Sequence, residues 1–370
     1  MSALDRPVAP AAVSIVVPTL REAANIPTLV DRVRGALSRT GVRWELLLVD
    51  DDSNDGSETI VAELGRRLPV RMEVRRDAPR DLAAAVLHGI RLARFDRVVV
   101  MDADLSHPPE RIEALLATLD GGCDMVIGSR YAPGGRVDRT WGWGRRLNSH
   151  VATALARPLV RCSDPMSGFF ATDRRALPDL QRLQPIGYKI GLELMVRGRL
   201  RVAEVPIDFV DRHLGSSKMD WRQQVNYLRH LYRLYLHRYG AAARLVSFAL
   251  VGASGFVIDV AFYLGLQAIG VEHRLARFLS FWPAVTWNWV INRGLTFEER
   301  LRQPHVRQWT KFVASSLIGL GINVGSYAVL TSFVDLFDRH RVPALVGGVA
   351  LGGLANFLVA NRYVYRRRTE

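Results

Sequence analysis

Val98-Val99-Val100-Met101-Asp102-Ala103-Asp104-Leu105-Ser106-His107-Pro108-Pro109-Glu110 carries an apolar run straight into two carboxylates one residue apart. A β-branched run bounded by polar residues reads as a buried strand. Side chains two apart on a strand share a face. At the strand end, Asp102 and Asp104 are therefore placed to share one divalent cation. Magnesium and manganese take oxygen ligands and bridge to phosphates. Ligands of open α/β folds sit beyond the C-terminal edge of the sheet. The stretch points to a metal and diphosphate site at such an edge. The plainer reading of the same residues is a strand followed by an Asp-rich turn.

The flanking sequence supplies the sheet. Ala12 to Thr19 reads as strand one, ended by Pro18. Glu22 to Leu37 has Ile26, Leu29, Val30 and Val33 on one helical face. Trp44 to Val49 is strand two and runs into Asp50-Asp51-Asp52-Ser53-Asn54-Asp55-Gly56, followed by a helix through Leu64. Val70 to Val74, a helix from Asp81 to Ala93, the strand Arg97 to Met101 and a short strand Asp124 to Ile127 continue the alternation. Alternating strands and helices predict a parallel sheet covered on both faces.

The chain has 370 residues and a net charge of +14, which suits phosphate-bearing or membrane-surface partners. The excess basic residues sit beside apolar stretches rather than in a nucleic-acid-binding module, so no nucleic acid partner is expected. Cys123 and Cys162 are too few for a disulfide framework. Met1 to Ala12 shows no signal peptide, which predicts a cytoplasmic first domain.

After Trp221 the composition changes. Val225, Leu228, Leu231, Tyr232 and Tyr235 recur at helical spacing among Arg222, Arg229, Arg233 and Arg238. Such a pattern suits an amphipathic helix lying on a membrane, or a surface helix packed on the sheet. Four apolar segments follow, Leu245–Ile269, Leu275–Ile291, Phe312–Val334 and Val342–Ala360. A spanning helix needs about 20 apolar residues. Asp259 interrupts the first segment, and Arg277 and Arg293 flank the short core of the second. An ionisable residue inside a span is a functional candidate. Arg293, Arg300, Arg302, Arg307 and Lys311 lie between segments two and three, and Arg362 and Arg366 to Arg368 follow segment four. By the positive-inside tendency both ends face the cytoplasm. Asn288 to Arg293 resembles Asn356 to Arg362, each ending the second helix of a hairpin, which suggests an internal repeat. The expected organisation is residues 1–220 as a cytoplasmic α/β domain, 221–240 as an amphipathic interfacial helix, and 241–370 as a membrane domain of four helices in two hairpins.

Several ordered motifs then align with one known family. Val17-Pro18-Thr19, Asp50 to Gly56, Met101 to Glu110, Gly128-Ser129-Arg130-Tyr131, Asp164-Pro165-Met166-Ser167-Gly168-Phe169-Phe170, Gly187-Tyr188-Lys189-Ile190 and Arg212 to Lys218 together resemble family-2 glycosyltransferases of the dolichol-phosphate mannose synthase type. The membrane half is similar to the four-helix domain of O-antigen glucosylation flippases. The resemblance implies a GT-A, Rossmann-like α/β fold and an all-α domain of four transmembrane helices. It implies a nucleotide-sugar donor, GDP-mannose favoured, and a polyprenyl (dolichyl) monophosphate acceptor. The protein would be a multi-pass protein of the plasma membrane.

Carried over motif by motif, the donor pocket falls on Pro18, Leu20, Glu22, Val49 and Asp51, then Asp102, Ala103 and Asp104. The phosphate-facing cations are Arg130, Lys189, Arg212 and Lys218. Arg145 and Ser149 match the positions implied to hold the acceptor phosphate. Magnesium or manganese would sit on Asp102 and Asp104, with Ser106 where the family usually has Gln. Two further departures are Leu20 in place of an aromatic residue and Asp81-Leu82 in place of Gly-Leu.

The implied chemistry is inverting transfer, with Asp104, Arg130, Arg145 and Ser149 as the reacting-centre residues. A phosphate monoester is largely ionised near neutral pH, its second pKa being about 6, and needs no general base. Three other readings remain open at this stage: a UDP-glucose-dependent polyprenyl phosphate glucosyltransferase, a lipid-linked sugar flippase with a degenerate transferase domain, and a processive polysaccharide synthase. The last normally carries a Q-x-x-R-W motif, which this chain lacks.

Overall fold

The computed structural model describes residues 12–137, 142–181, 183, 189–210, 221–300, 303–334 and 341–366. The chain divides into two compact units, Met1–Arg238 and Tyr239–Glu370.

In the first unit, β1 (Ala12–Thr19), β2 (Arg43–Asp50), β3 (Val70–Val74), β4 (Arg97–Val100), β5 (Met125–Ser129), β7 (Phe170–Asp173) and β8 (Val202–Pro206) form one sheet. Its order is β3-β2-β1-β4-β7-β5-β8. A second, two-stranded sheet pairs β6 (Arg136–Val137) with β9 (Asp208–Phe209). The side chains of β1 alternate: Val16 joins one buried cluster, Ile15 and Val17 the other. Apolar positions on both faces are what a sheet covered by helices on both sides requires. Those helices include α1 (Ile26–Leu37), α2 (Ser57–Gly65), α3 (Leu82–Leu92), α4 (Ile112–Asp120), α5 (Trp143–Ala156) and α6 (Ile190–Gly198).

The sheet is mixed rather than parallel throughout. β7 runs antiparallel to both β4 and β5, with Val100 opposite Phe170 and Ile127 opposite Phe170. This strand is only four residues long and follows a Ser-Gly motif, so no alternating pattern announces it. Its direction matters. The residues leading into β7 emerge at the same edge as the C-terminal ends of β1, β2, β4 and β5.

Much of the apolar face of helix α7 (Trp221–Tyr239) packs on the first unit. Leu231 and Leu234 are buried in the first unit's core beside Ala156 and Leu159. Tyr227 and Tyr235 donate through their hydroxyls to the carbonyls of Ala152 and Leu155 of α5, at 2.7 and 2.8 Å. The structure gives the packed surface helix, seated on α5 and α6, with Leu228 still exposed.

The second unit contains α8 (Ala241–Ala268), α9 (His273–Ile291), α10 (His305–Phe333) and α11 (Arg341–Val359). Among the described residues, three helical stretches are long and apolar enough to cross a membrane: Ala241–Ala268, His305–Phe333 and Val342–Val364. The expected fourth span, α9, is a 19-residue helix carrying Arg274, Arg277 and an interior Pro283, and these lower its apolar content. Asp259 on α8 is paired across the hairpin, with Arg277 at 2.5 Å and the Ser280 hydroxyl at 2.7 Å. Helices α9 and α11 each end in a π-helical turn, Asn292–Thr296 and Ala360–Val364. After these turns Phe297 and Tyr365 stack face to face, with centroids 4.2 Å apart.

Candidate active site

The sheet order β2-β1-β4 brings three parallel strand ends side by side, and each delivers acidic residues. At the end of β1 and β2, Pro18 pairs in register with Val49 and Thr19 with Asp50. Both Pro18 and Val49 are buried, and the Val49 side chain belongs to the core. These two positions therefore offer a ligand their backbone rather than their side chains. Leu20 is exposed, and Glu22 accepts a hydrogen bond from Asn25 at 2.6 Å.

Asp51 is nearly buried and takes Arg75 at 2.5 Å and the Asp81 amide at 2.9 Å. Burial raises its pKa, against the pull of Arg75. Asp81 in turn caps α3, its carboxylate accepting from the Ala84 amide at 2.8 Å. The Asp-Leu pair that replaces the family's Gly-Leu thus makes a well-formed helix start, since Asp is a strong N-cap residue.

Beyond β4 the two carboxylates are held differently. Asp104 is 6% exposed, and its Oδ1 accepts both the amide and the hydroxyl of Ser106, at 3.1 and 2.6 Å. Leu105 between them lies in the left-handed region at φ +63°. A non-glycine residue stores strain there, on the order of 1–3 kcal/mol. Asp102 is more open, with a side chain 32% exposed. Its amide donates to His107 Nδ1 at 3.0 Å. His107 is buried and stacked on Phe169, with centroids 5.3 Å apart. Burial keeps its pKa low. The ring is therefore neutral, with its proton on Nε2.

The oxygen set suits a hard divalent cation. A Cβ built at Gly168 would stand 3.5 Å from both carboxylate oxygens of Asp102, so glycine there keeps a side chain out of that approach. Ser106 is only 1% exposed and its hydroxyl is directed at Asp104. It is placed to orient that carboxylate, at the position the sequence assigns to the metal site. Ala103 points into the core.

Arg130 follows β5 and meets Asp164, a residue of the lead-in to β7. The pair is bidentate, Nε to Oδ2 at 2.7 Å and Nη2 to Oδ1 at 2.8 Å, and Asp164 is 0% exposed. Burial works to lower the Arg130 pKa, but the Asp164 hydrogen bonds and charge outweigh it and hold the guanidinium above its ordinary value. The guanidinium also lies over the Phe209 and Tyr131 rings, at 5.2 and 5.5 Å. Lys189 donates to the Met166 carbonyl at 3.0 Å in the same lead-in. Burial first, and the Arg130 charge second, push its pKa down to about 7.

On α5, Arg145 and Ser149 are one turn apart and share a helix face. Ser149 is tied to the Gly-Ser-Arg-Tyr turn through Tyr131, hydroxyl to hydroxyl at 2.8 Å. The structure thus links Arg130, Tyr131 and Ser149 in one chain of contacts. Arg212 and Lys218 lie outside the described residues. Sequence reasoning gave no role to Asp164, His107 or Gly168, although all three stand inside quoted motifs. Asp164 had a usable signal, an acidic residue in a motif shared with the cations' family. Its pairing depends on the direction of β7.

Comparison with known proteins agrees with both halves. Residues 14–180 match the model of glycosyl transferase family 2, and residues 247–365 match the GtrA/DPMS transmembrane domain. A dolichol-phosphate mannosyltransferase of Pyrococcus furiosus is 35% identical over 357 residues, covering 95% of this chain and 98% of that protein. One from Saccharomyces cerevisiae is 38% identical over 238 residues, covering 62% of this chain and 88% of that protein. The polyprenol monophosphomannose synthase of Mycolicibacterium smegmatis is 38% identical over 216 residues, covering 55% and 80%. Among solved structures, a glucosyl-3-phosphoglycerate synthase of Mycobacterium tuberculosis covers 62% of this chain and 80% of its own, at 23% identity and a TM-score of 0.46. With a glycosyltransferase sheet, a helical membrane unit and a relative matched end to end, the chain belongs to the dolichol-phosphate mannosyltransferase family.

Proposed function

We propose that the chain transfers mannose from GDP-mannose to a polyprenyl monophosphate, with inversion, giving a β-linked polyprenyl phosphate mannose. The observation that carries this reading is the meeting of two groups at one sheet edge. Asp102 and Asp104 stand beyond β4, and the Arg130–Asp164 pair stands beside them with Lys189. The names of the relatives support the choice of mannose and of a lipid phosphate.

Asp102 and Asp104 would hold magnesium or manganese, with Ser106 fixing Asp104. Such a cation supplies positive charge to the diphosphate of the donor. The protein's own residues supply the rest. Arg130, locked by Asp164, is a preorganised cation that needs no reorientation when negative charge develops on the leaving diphosphate. Arg145 and Ser149 aim the acceptor phosphate, whose ionised oxygen attacks the anomeric carbon as the carbon–oxygen bond to the diphosphate breaks. No proton has to be removed, consistent with the neutral, buried state of His107.

The acceptor's tail explains the membrane unit. In this reading the first unit works on the cytoplasmic face of the plasma membrane, and the basic segments around Arg293 and Lys311 face the same side. Helix α5 supports surface contact. Trp143, Leu147, Val151 and Leu155 recur every four residues and are all exposed, whereas Leu159, past the end of the helix, is buried in the core.

A donor panel of radiolabelled nucleotide sugars with a short polyprenyl phosphate tests the proposal. GDP-mannose should give the labelled lipid, chelation should stop the transfer, and Asp104→Ala should abolish it in a folded protein. Preferential use of UDP-glucose, or full activity after chelation, would overturn the donor or the metal assignment respectively.

A further inference from the structure

Glu204 stands on β8, in register with Ile127 of β5. Its neighbours Ala203 and Val205 pack on one buried cluster of the sheet. Glu204 therefore turns to the opposite face, where Cys162 and Met166 are buried. There its carboxylate collects the segment that leads into β7. Oε2 accepts the Ser163 amide at 2.9 Å. Oε1 accepts the Ser163 hydroxyl at 2.6 Å, the Asp164 amide at 3.3 Å and the Cys162 thiol at 3.5 Å. Burial works to raise the Glu204 pKa, but the Ser163 bonds outweigh it and hold the carboxyl below its ordinary value. The group is ionised near neutral pH and can only accept.

That charge sets the direction of a chain of hydrogen bonds. The Ser163 hydroxyl gives its proton to Glu204, which leaves its oxygen to accept from Ser129 Oγ, 3.0 Å away. Ser129 Oγ in turn accepts from the amides of Tyr131 and Ala132, at 3.2 and 2.9 Å. One carboxylate thus ties down both segments that carry the Arg130–Asp164 pair, the Gly-Ser-Arg-Tyr turn after β5 and the lead-in to β7. Asp164 holds Arg130 by its backbone amide at 3.0 Å as well as by the two guanidinium bonds. A shift of Asp164 therefore carries Arg130 with it. A misplacement of about 1 Å at a reacting centre can cost on the order of a hundredfold in rate.

We propose that Glu204 is a positioning residue for the transfer, acting through Asp164 to set where the Arg130 guanidinium stands against the leaving diphosphate. The role of Arg130 itself rests on the function proposed above. The plainer alternative is a tie that holds β8 to the lead-in and contributes stability alone.

The test is a double-mutant cycle in transfer kinetics. It uses the full chain in detergent, a short polyprenyl phosphate and whichever sugar nucleotide the wild type accepts. Glu204→Gln keeps the side-chain length but has one acceptor oxygen, and its NH2 meets an amide that is itself a donor. Its kcat should fall about tenfold to a hundredfold, the scale of a lost charged hydrogen bond. Both KM values should stay within about threefold of wild type, as for an interaction expressed in the transition state. In an Arg130→Ala background the same substitution should change kcat by no more than about twofold, because residues acting as a unit are not additive.

Ser163→Ala breaks the hydroxyl chain and leaves the carboxylate its amide donors. It should lower kcat several-fold, again only while Arg130 is present, and it decides the matter if Glu204→Gln does not fold. Arg130→Lys keeps a cation beside Asp164 without the planar fork, and is the background if the alanine variant does not fold; there the Glu204→Gln loss should shrink at least about threefold. Wild-type kcat in Glu204→Gln overturns the proposal. Equal losses with and without Arg130 overturn it too, and leave Glu204 a tie for stability. Full activity of Arg130→Ala would break the mechanism proposed above, and the role of Glu204 with it.

Discussion

The two units are built inside out with respect to each other. In the first, Leu46, Leu47 and Leu48 of β2 are all fully buried, and the buried Arg130 is matched by the buried Asp164. In the second, Leu250, Phe256 and Val346 are more than 60% exposed, while Gln308, Asn292, Ser280 and Ser315 are at most 1% exposed. The first unit is organised by removal of apolar surface from water. The second is surrounded by surface as apolar as its own side chains, so polar and small residues are left to tie its helices together. Ser315 bonding Asn356 across α10 and α11 at 2.6 Å is one such tie.

The largest expected effect strikes the matched charge of the first unit. Asp164→Ala leaves Arg130 buried without its partner, and loss of one member of a buried pair costs about 3–5 kcal/mol. Urea denaturation should show a loss of that size, together with loss of transfer. A cost below about 1 kcal/mol would mean that Arg130 is better solvated than its surroundings indicate.

Next comes a pair of identical substitutions. Leu47→Ala should cost about 2–5 kcal/mol through cavity formation. Leu250→Ala, 67% exposed on α8, should cost less than about 0.5 kcal/mol in detergent. Equal costs would break the comparison.

Lys189 sharpens it through pH. Its folded pKa is pushed down to about 7, below the ordinary lysine value. Between about pH 7 and the unfolded lysine's pKa near 10.4, the unfolded chain therefore binds more protons. The first unit should gain stability as pH rises through that window, with a contribution from this residue bounded by one proton. Lys189→Met should remove that part of the slope in denaturation at a series of pH values. An unchanged slope would show that the amine is not the group responsible.

The smallest effect belongs to the second unit. Ser315→Ala removes one interhelical hydrogen bond, worth about 0.6 kcal/mol and at most about 1.7 in a membrane bundle. Double-mutant cycles with Asn356→Ala would measure the coupling. A value above about 3 kcal/mol would place this tie among matched buried pairs like Arg130–Asp164.

Legibility in the sequence followed the range of the interactions. Strands β1, β2 and β4 carry local patterns, and the carboxylates that end them were readable from position alone. What needed the fold was every contact set by pairing across distance. The antiparallel course of β7 brings Asp164 to Arg130, 34 residues away in sequence. The same holds for α7, whose periodicity shows an apolar face but not what covers it. The hydrogen bond from Ser106 to Asp104 was hidden for a different reason. A hydroxyl two residues from a carboxylate can bind a metal or fold back on its neighbour, and the contact with Asp104 needs the left-handed turn at Leu105, which no local pattern announces. In the membrane unit, the short core of α9 between Arg277 and Arg293 was legible in the sequence, and Arg274 and the interior Pro283 add to what lowers its apolar content.

The two membrane hairpins carry matching close approaches. Gly255 lies against Asn288 in the first and Gly319 against Asn356 in the second, and a Cβ on either glycine would collide with the asparagine. The paired asparagines, the paired π-helical turns and the face-to-face aromatic rings that follow them give the two hairpins the same construction. Two copies fused in one chain are released from having to stay identical. Among the described residues the Asp259–Arg277 pair has no counterpart in the second hairpin, so the two halves of one chain differ in charge where two identical separate chains could not.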